Sequence, residues 1–198
     1  RVRHEPIFVK ERSLSDILSG MPGLDGGGAE AAETGFSPRA LVSLLRVGQA
    51  MSAERNLESL LRLVKDETER ALDAERCTSF VYDRDSNELW SRVASGLETN
   101  QEIRFSAHAG LAGYVLKTGE TLNIADAYAD PRFNKDVDRK TGYRTRNLLC
   151  MPIRNRQGET VGVFQVLNKR QKPFQQEDED LLTAISASAG ITIENAMM

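Results

Sequence analysis

The sequence predicts an α+β fold, one antiparallel sheet with helices on its faces. Two observations carry it: apolar residues recur at helical spacing near both ends of the chain, and two strand pairs joined by short polar turns lie between them. In order, the elements read helix, helix, hairpin, strand, small helix, strand, long polar segment, hairpin, helix.

Leu41, Leu44, Leu45, Gly48 and Met51, then Leu57, Leu60, Leu61, Val64, Thr68, Ala71 and Leu72, form two helical stripes. Ser37-Pro38 is a good helix start, and the capping residues of Ser52 to Asn56 break the stripe, which places the helices over about 38–51 and 56–73. Cys77 to Tyr82 and Leu89 to Ala94, joined by a polar turn at Asp83 to Asn87, make the first hairpin. Ile103 and Phe105 mark a third strand, Gly110 to Leu116 a small-residue helix ended by Thr118-Gly119, and Leu122 to Ile124 a fourth strand. Asp126 to Arg146 is polar, rich in turn formers and too long for a casual connection. Leu148 to Ile153 and Val161 to Leu167, joined at Asn155 to Gly158, form the second hairpin. Glu177 to Asp180 then opens a helix carrying Leu181, Leu182, Ile185, Ala189, Ile191 and Ile193, with four acids at the positive end of its dipole.

The organisation is one domain over residues 38–198, preceded by a glycine-rich flexible linker over residues 1–37. A chain that opens in linker-like sequence and ends inside an apolar helix reads as part of a longer protein.

Composition narrows the chemistry. Of the 198 residues 40% are hydrophobic and 28% charged, and 26 Lys+Arg stand against 29 Asp+Glu for a net charge of −3. That balance offers no field to hold nucleic acid or an anionic membrane. No apolar run approaches the roughly 18 residues of a membrane span, so the chain reads as cytoplasmic. With His4 and His108 as the whole histidine complement, a His-based zinc site or a Ser-His-Asp triad has almost no material, and no nucleotide-binding glycine loop or C-x-x-C is present. Cys77 and Cys150 lie in apolar strands and read as reduced buried thiols. A binding module, with neither metal nor catalytic residues, is favoured over an enzyme.

The run Gly110-Leu111-Ala112-Gly113-Tyr114-Val115, then Thr118 to Tyr128, Asp130 to Asn134, Asp138 and Thr141 to Ile153, is a long ordered series of matches that resembles the GAF domains, specifically the cyclic-nucleotide-binding group found in phosphodiesterases and bacterial adenylate cyclases. Asn168-Lys169, Phe174 and Asp178-Glu179 resemble that group's NKFDE signature. The resemblance implies a six-stranded antiparallel sheet with the terminal helices on one face and Asp126 to Arg146 folded as a ligand lid on the other.

It implies ligand contacts from Ser79, Ala94, Ser95 and Gln165 on the sheet, Leu111 and Ala112 at the small helix, and Asn134, Val137, Asp138, Thr141 and Thr145 in the lid, with a Lys169–Asp178 ion pair supporting the pocket from outside. Helix-end amides at Leu111 and Ala112 suit a cyclic phosphate without any arginine. Family members often place a large aromatic residue and an acid where this chain has Ala94 and Ser95. Gln165 offers one donor and one acceptor, a match to adenine N1 and N6, and favours cAMP over cGMP; a flipped amide pairs with guanine as well. The expected partners are a cyclic nucleotide, a second copy through parallel N- and C-terminal helices, and an effector domain beyond Met198. A GAF sensor for another small ligand, or a module kept for dimerisation, is the alternative.

Overall fold

The computed structural model describes residues 36–53, 56–94 and 101–197. The linker expected over 1–37 lies, apart from Phe36 and Ser37, outside them, as does Ser95. Pro38–Met198 forms one compact unit.

Two helices open it, α1 (Pro38–Ala53) and α2 (Leu57–Leu72). Asn56 separates them because its side chain accepts a hydrogen bond from Ser59 N at 3.1 Å, satisfying one of the donors a helix start leaves over. The first hairpin is β1 (Ala74–Asp83) and β2 (Glu88–Ser91), followed by β3 (Ile103–Ser106), α3 (Gly110–Thr118) and β4 (Leu122–Ile124). A 3-10 turn at Ala127–Ala129 and a short helix α4 (Asp136–Thr141) lie in the polar segment. The second hairpin, β5 (Leu148–Arg154) and β6 (Thr160–Lys169), leads to α5 (Gln176–Met197).

β2 stops at Ser91, short of the expected Ala94. Ser91 Oγ donates to Val93 O and accepts from Val93 N, so a local turn takes the backbone out of the ladder. Ala94 then rejoins the sheet through an isolated bridge to Thr78.

All six strands are antiparallel to their neighbours in the order β3-β2-β1-β6-β5-β4. The central β1–β6 pair fixes the register, with Cys77 opposite Val166, Thr78 opposite Gln165 and Ser79 opposite Phe164. Directly opposed residues share a face. One face therefore carries Phe80, Val163 and Cys150, which pack with Leu111, Ala112 and Val115 of α3 and with Ala127, Tyr128 and Phe133 of the polar segment. The other carries Ser79, Phe164 and Met151, and Met151 Sδ lies 3.8 Å from Ser186 Oγ of α5. The terminal helices thus cover one face, and α3 with the polar segment covers the other.

Helix α5 approaches β5 so closely that a Cβ on Gly190 would stand 1.8 Å from Arg154 O, so glycine is required there. On the outer side, Leu41, Val42 and Leu45 of α1 and Leu63 of α2 are exposed. Among the described residues no helix is long and apolar enough to cross a membrane, and no group of three His, Cys, Asp or Glu residues could hold a metal ion.

Candidate ligand-binding site

The face beneath α3 and the lid is apolar except for one patch. Thr78, Gln165 and Ala94 stand side by side across β1, β6 and the bridge, with Cys150 continuing the row on β5. One step along the strands, Arg76 sits opposite Leu167 on the same face. Arg76, Thr78 and Gln165 are half-buried, and among the described residues none of their side chains makes a hydrogen bond. The Arg76 guanidinium instead lies 3.7 Å from the centre of the Tyr143 ring. Three polar side chains with unused donors and acceptors on an apolar face form a place for a polar, flat ligand.

This register corrects one expectation. Ser79 points to the helix-packed face, opposite Phe164, where it is fully buried and its Oγ has no hydrogen-bond partner. The residue beside Gln165 is Thr78. Arg76 and Thr78 escape a reading of the sequence alone, because a sheet covered on both faces shows no in-and-out alternation to assign parity.

The start of α3 packs on the same face of the sheet, against Phe80, Val163 and Cys150. Leu111 and Ala112 bury their side chains against the sheet, while their N–H groups precede the first helical bond, from Gly113 N to Ala109 O at 3.0 Å. Ala109, at the N-cap, supplies no side-chain bond to these donors, and among the described residues no other side chain caps them. A Cβ on Gly113 would meet His108 C at 2.7 Å; only glycine lets the helix start sit this tightly on its preceding turn. The result is a cluster of amide donors at the positive end of a helix dipole.

The lid residues fall into two groups. Asp138 and Thr145 are buried and face each other: Thr145 N and Oγ1 donate to the Asp138 carboxylate at 2.7 and 2.9 Å, and Tyr128 Oη donates to it at 3.0 Å. The pair is a clasp between α4 and the strand that follows. Burial and the Asp138 acceptor together push the Tyr128 hydroxyl above its ordinary range, so it remains a donor. Asn134, Val137 and Thr141 are exposed, and the two polar ones are engaged locally: Asn134 Oδ1 accepts from Asp136 N and Thr141 Oγ1 donates to Val137 O.

Behind the site, the ends of β1 and β6 carry a dense polar network. Lys169 Nζ lies 2.8 Å from Asp178 Oδ1 and donates to Leu72 O at 2.8 Å, tying β6 to the start of α5 and the end of α2. Both side chains of the pair are about one-tenth exposed, 12% and 10%. Asn168, fully buried at φ 59°, accepts from Arg146 N and Asn147 N and donates through Nδ2 to Tyr143 Oη and Arg144 O at 2.8 Å. The carboxylate of Glu75 completes the network, receiving Arg146 Nη2 at 2.8 Å and Tyr143 Oη at 3.0 Å; the Arg146 bond holds it below its ordinary 4.5. Burial, with the Glu75 acceptor, pushes Tyr143 up to about 12.

Burial also pushes the thiols of Cys77 and Cys150 far above their ordinary range, so neither is a nucleophile near neutral pH. Two concavities lie away from the row. One, of about 420 Å³, sits between β5 and α5, where Arg154 is engaged by Gly119 O and Gly158 O. The other, about 560 Å³, is an open trough along β4.

Known proteins share this fold. A GAF domain profile matches residues 56–193. A probable 3',5'-cyclic phosphodiesterase, pde-5, of Caenorhabditis elegans is 36% identical over 154 residues, which is 72% of this chain and 21% of that protein. The chain therefore spans about a fifth of that relative's length. Among solved structures, the GAF domain of a phosphoenolpyruvate-protein phosphotransferase (ptsP) from Coxiella burnetii superposes with a TM-score of 0.72 at 26% identity, covering 81% of this chain and 97% of that one. Free methionine-R-sulfoxide reductase from Neisseria meningitidis, at 17% identity and a TM-score of 0.66 over 82% of this chain and 94% of that one, shares the fold. On the profile match over most of its length, the chain belongs to the GAF domain family, a family of regulatory domains.

Proposed function

We propose that this domain binds a cyclic nucleotide, cAMP in preference to cGMP, and passes the binding event to an attached effector through its terminal helices. The carrying observation is the row Arg76, Thr78 and Gln165, without side-chain hydrogen bonds among the described residues, on the sheet face against which α3 also packs. The cyclic phosphate takes the N–H groups of Leu111 and Ala112, and the base lies against the row. There the Gln165 amide supplies a donor and an acceptor to adenine, the Thr78 hydroxyl either, and Arg76 donors to ring nitrogens. Ala94 lines the base slot as a small apolar residue. Resemblance to a relative named as a cyclic nucleotide phosphodiesterase supports the ligand class.

In this reading the lid closes by α4, with Asn134, Val137 and Thr141 turned toward the ligand and Asp138–Thr145 holding the closed arm. Signal leaves along β6, which bears Gln165 and ends in Lys169 at the start of α5. For the ligand to act, it must bind one lid state better than the other. The exposed leucines of α1 support a homodimer through the terminal helices, and an effector domain follows α5 in a cytoplasmic signalling protein; the domain itself performs no catalysis.

The competing reading, a GAF fold kept for dimerisation, draws on the way Asp138 and Thr145 satisfy each other without a ligand. Thermal unfolding with cAMP, cGMP and AMP separates the two. At a hundredfold excess over Kd a true ligand stabilises by about 2.7 kcal/mol. No shift with either cyclic nucleotide, together with no nucleotide released from denatured protein in a mass spectrum, sinks the cyclic-nucleotide reading.

A further inference from the structure

Arg76 poses a physical question. A half-buried guanidinium with five N–H donors and no hydrogen-bonded partner among the described residues needs something to hold it in place. The neighbouring carboxylate, Glu75, is not available: one oxygen receives Arg146 Nη2 at 2.8 Å, and the other receives Tyr143 Oη at 3.0 Å and Asn168 Nδ2 at 3.2 Å. What Arg76 does meet is the face of Tyr143, 3.7 Å from the ring centre. That ring is itself fixed. Its hydroxyl donates to Glu75 and accepts from Asn168 Nδ2, and the Asn168 amide cannot flip because its oxygen accepts from the backbone N–H groups of Arg146 and Asn147. Tyr143 follows directly on Gly142, the C-cap of α4, so the ring sits at the root of the lid.

We propose, on the basis of the cyclic-nucleotide reading above, that Tyr143 is a positioning residue for the ligand site: its ring, locked by Glu75 and Asn168, holds Arg76 over the sheet face by a cation–π contact and leaves every guanidinium donor open to the ligand. A salt bridge would hold Arg76 as firmly but would occupy its donors, whereas an aromatic face binds the cation through its π-cloud and leaves the N–H edge outward. Because the ring belongs to the lid's root, its hold on Arg76 also joins the lid to the base-binding row. Glu75 and Asn168 act through Tyr143 and touch no ligand.

The test uses the whole 198-residue chain and two independent readouts. In titration calorimetry with cAMP and cGMP, Tyr143→Leu and Arg76→Met each weaken binding about tenfold. Tyr143→Phe, which keeps the ring, stays within about threefold of the parent. The double variant Tyr143→Leu/Arg76→Met binds no more weakly than Arg76→Met alone, because Tyr143 acts on the ligand only through Arg76. A double variant weakened by the product of the two single losses, or a Tyr143→Leu that binds like the parent, overturns the proposal.

The second readout needs no ligand. Ring current from Tyr143 shifts the Arg76 Nε–H proton resonance upfield in the free protein; the shift persists in Tyr143→Phe and disappears in Tyr143→Leu. An Arg76 resonance at the position of a solvated arginine in the parent protein overturns the proposal whatever the protein binds. Should the parent bind neither cyclic nucleotide, the functional reading falls alone, and the resonance still decides whether Tyr143 holds Arg76.

Discussion

Two stretches of the same two strands use polar residues in opposite ways. At the ends of β1 and β6, Glu75, Asn168 and Lys169 are enclosed by partners on the lid arm, α2 and α5. Only a few residues away, Thr78 and Gln165 stand opposite each other with no side-chain hydrogen bond among the described residues. Desolvated polar groups are tolerated when paired, and pairing at the strand ends fixes three elements around one point. Half-exposed polar groups that stay unpaired cost little, because water serves them until a ligand arrives. The first stretch therefore carries stability and the second carries recognition, and the two can be separated by substitution.

The largest effect belongs to the enclosed stretch. Lys169→Met leaves Asp178 nearly buried without its cation and removes the donor that Leu72 O accepts from. Stranding one member of a buried pair costs about 3 kcal/mol. For a domain of this size that lowers Tm by about 8 °C, read by calorimetry or by the midpoint of urea unfolding. Replacing both Lys169 and Asp178 by apolar residues restores part of the loss, since no lone charge then remains. If Lys169→Met melts with the parent, the strand ends are not where stability resides.

The open stretch behaves in reverse. Gln165→Ala and Thr78→Ala remove no side-chain hydrogen bond found among the described residues and shift stability by less than about 0.5 kcal/mol. Under the proposed function each weakens cyclic-nucleotide binding by about tenfold, the worth of one lost hydrogen bond with a stranded partner. Gln165→Glu moves preference toward cGMP, because a carboxylate accepts from guanine N1–H and N2–H and repels adenine N1. A Gln165→Ala variant that unfolds early but binds unchanged would invert the comparison.

The contrast explains what the sequence could and could not disclose. Helical stripes, two turns and a short glycine-rich helix were legible because they are local, and they place α1, α2, α3, α5 and every strand to within a few residues. The Lys169–Asp178 contact spans nine positions, and the sequence suggested it only through a resemblance to a family signature. The Tyr143–Glu75 bond spans 68, and nothing local announces that Tyr143 will lie over Arg76. Parity on β1 was equally hidden. In Cys77-Thr78-Ser79-Phe80 two polar residues are adjacent, both faces of the sheet are covered, and a one-residue slip moves a side chain from pocket to helix interface. Helix α4, with six residues and no apolar stripe, could be read only as polar connection.

That slip gives the smallest and most pointed effect. Ser79 belongs to neither class: it is fully buried, like Asn168, yet unpaired, like Thr78. An orphaned buried hydroxyl loses water and gains no hydrogen bond in return, so it is a net cost to the fold. Ser79→Ala removes that hydroxyl and leaves the packing against Phe164 and the helices almost unchanged, because the two side chains differ by one atom. Stability is expected to hold or rise by about 0.5–1 kcal/mol, a few degrees at most in Tm. Ligand affinity does not move, since the side chain lies on the far side of the sheet from Gln165. The adjacent substitution Thr78→Ala, one residue along the strand, gives the mirror result: unchanged stability and weakened binding. Measured side by side by thermal unfolding and calorimetric titration, the two variants test the register itself. If Ser79→Ala is the one that loses ligand, β1 is turned over relative to the structure, and the row of Arg76, Thr78 and Gln165 is not the binding face.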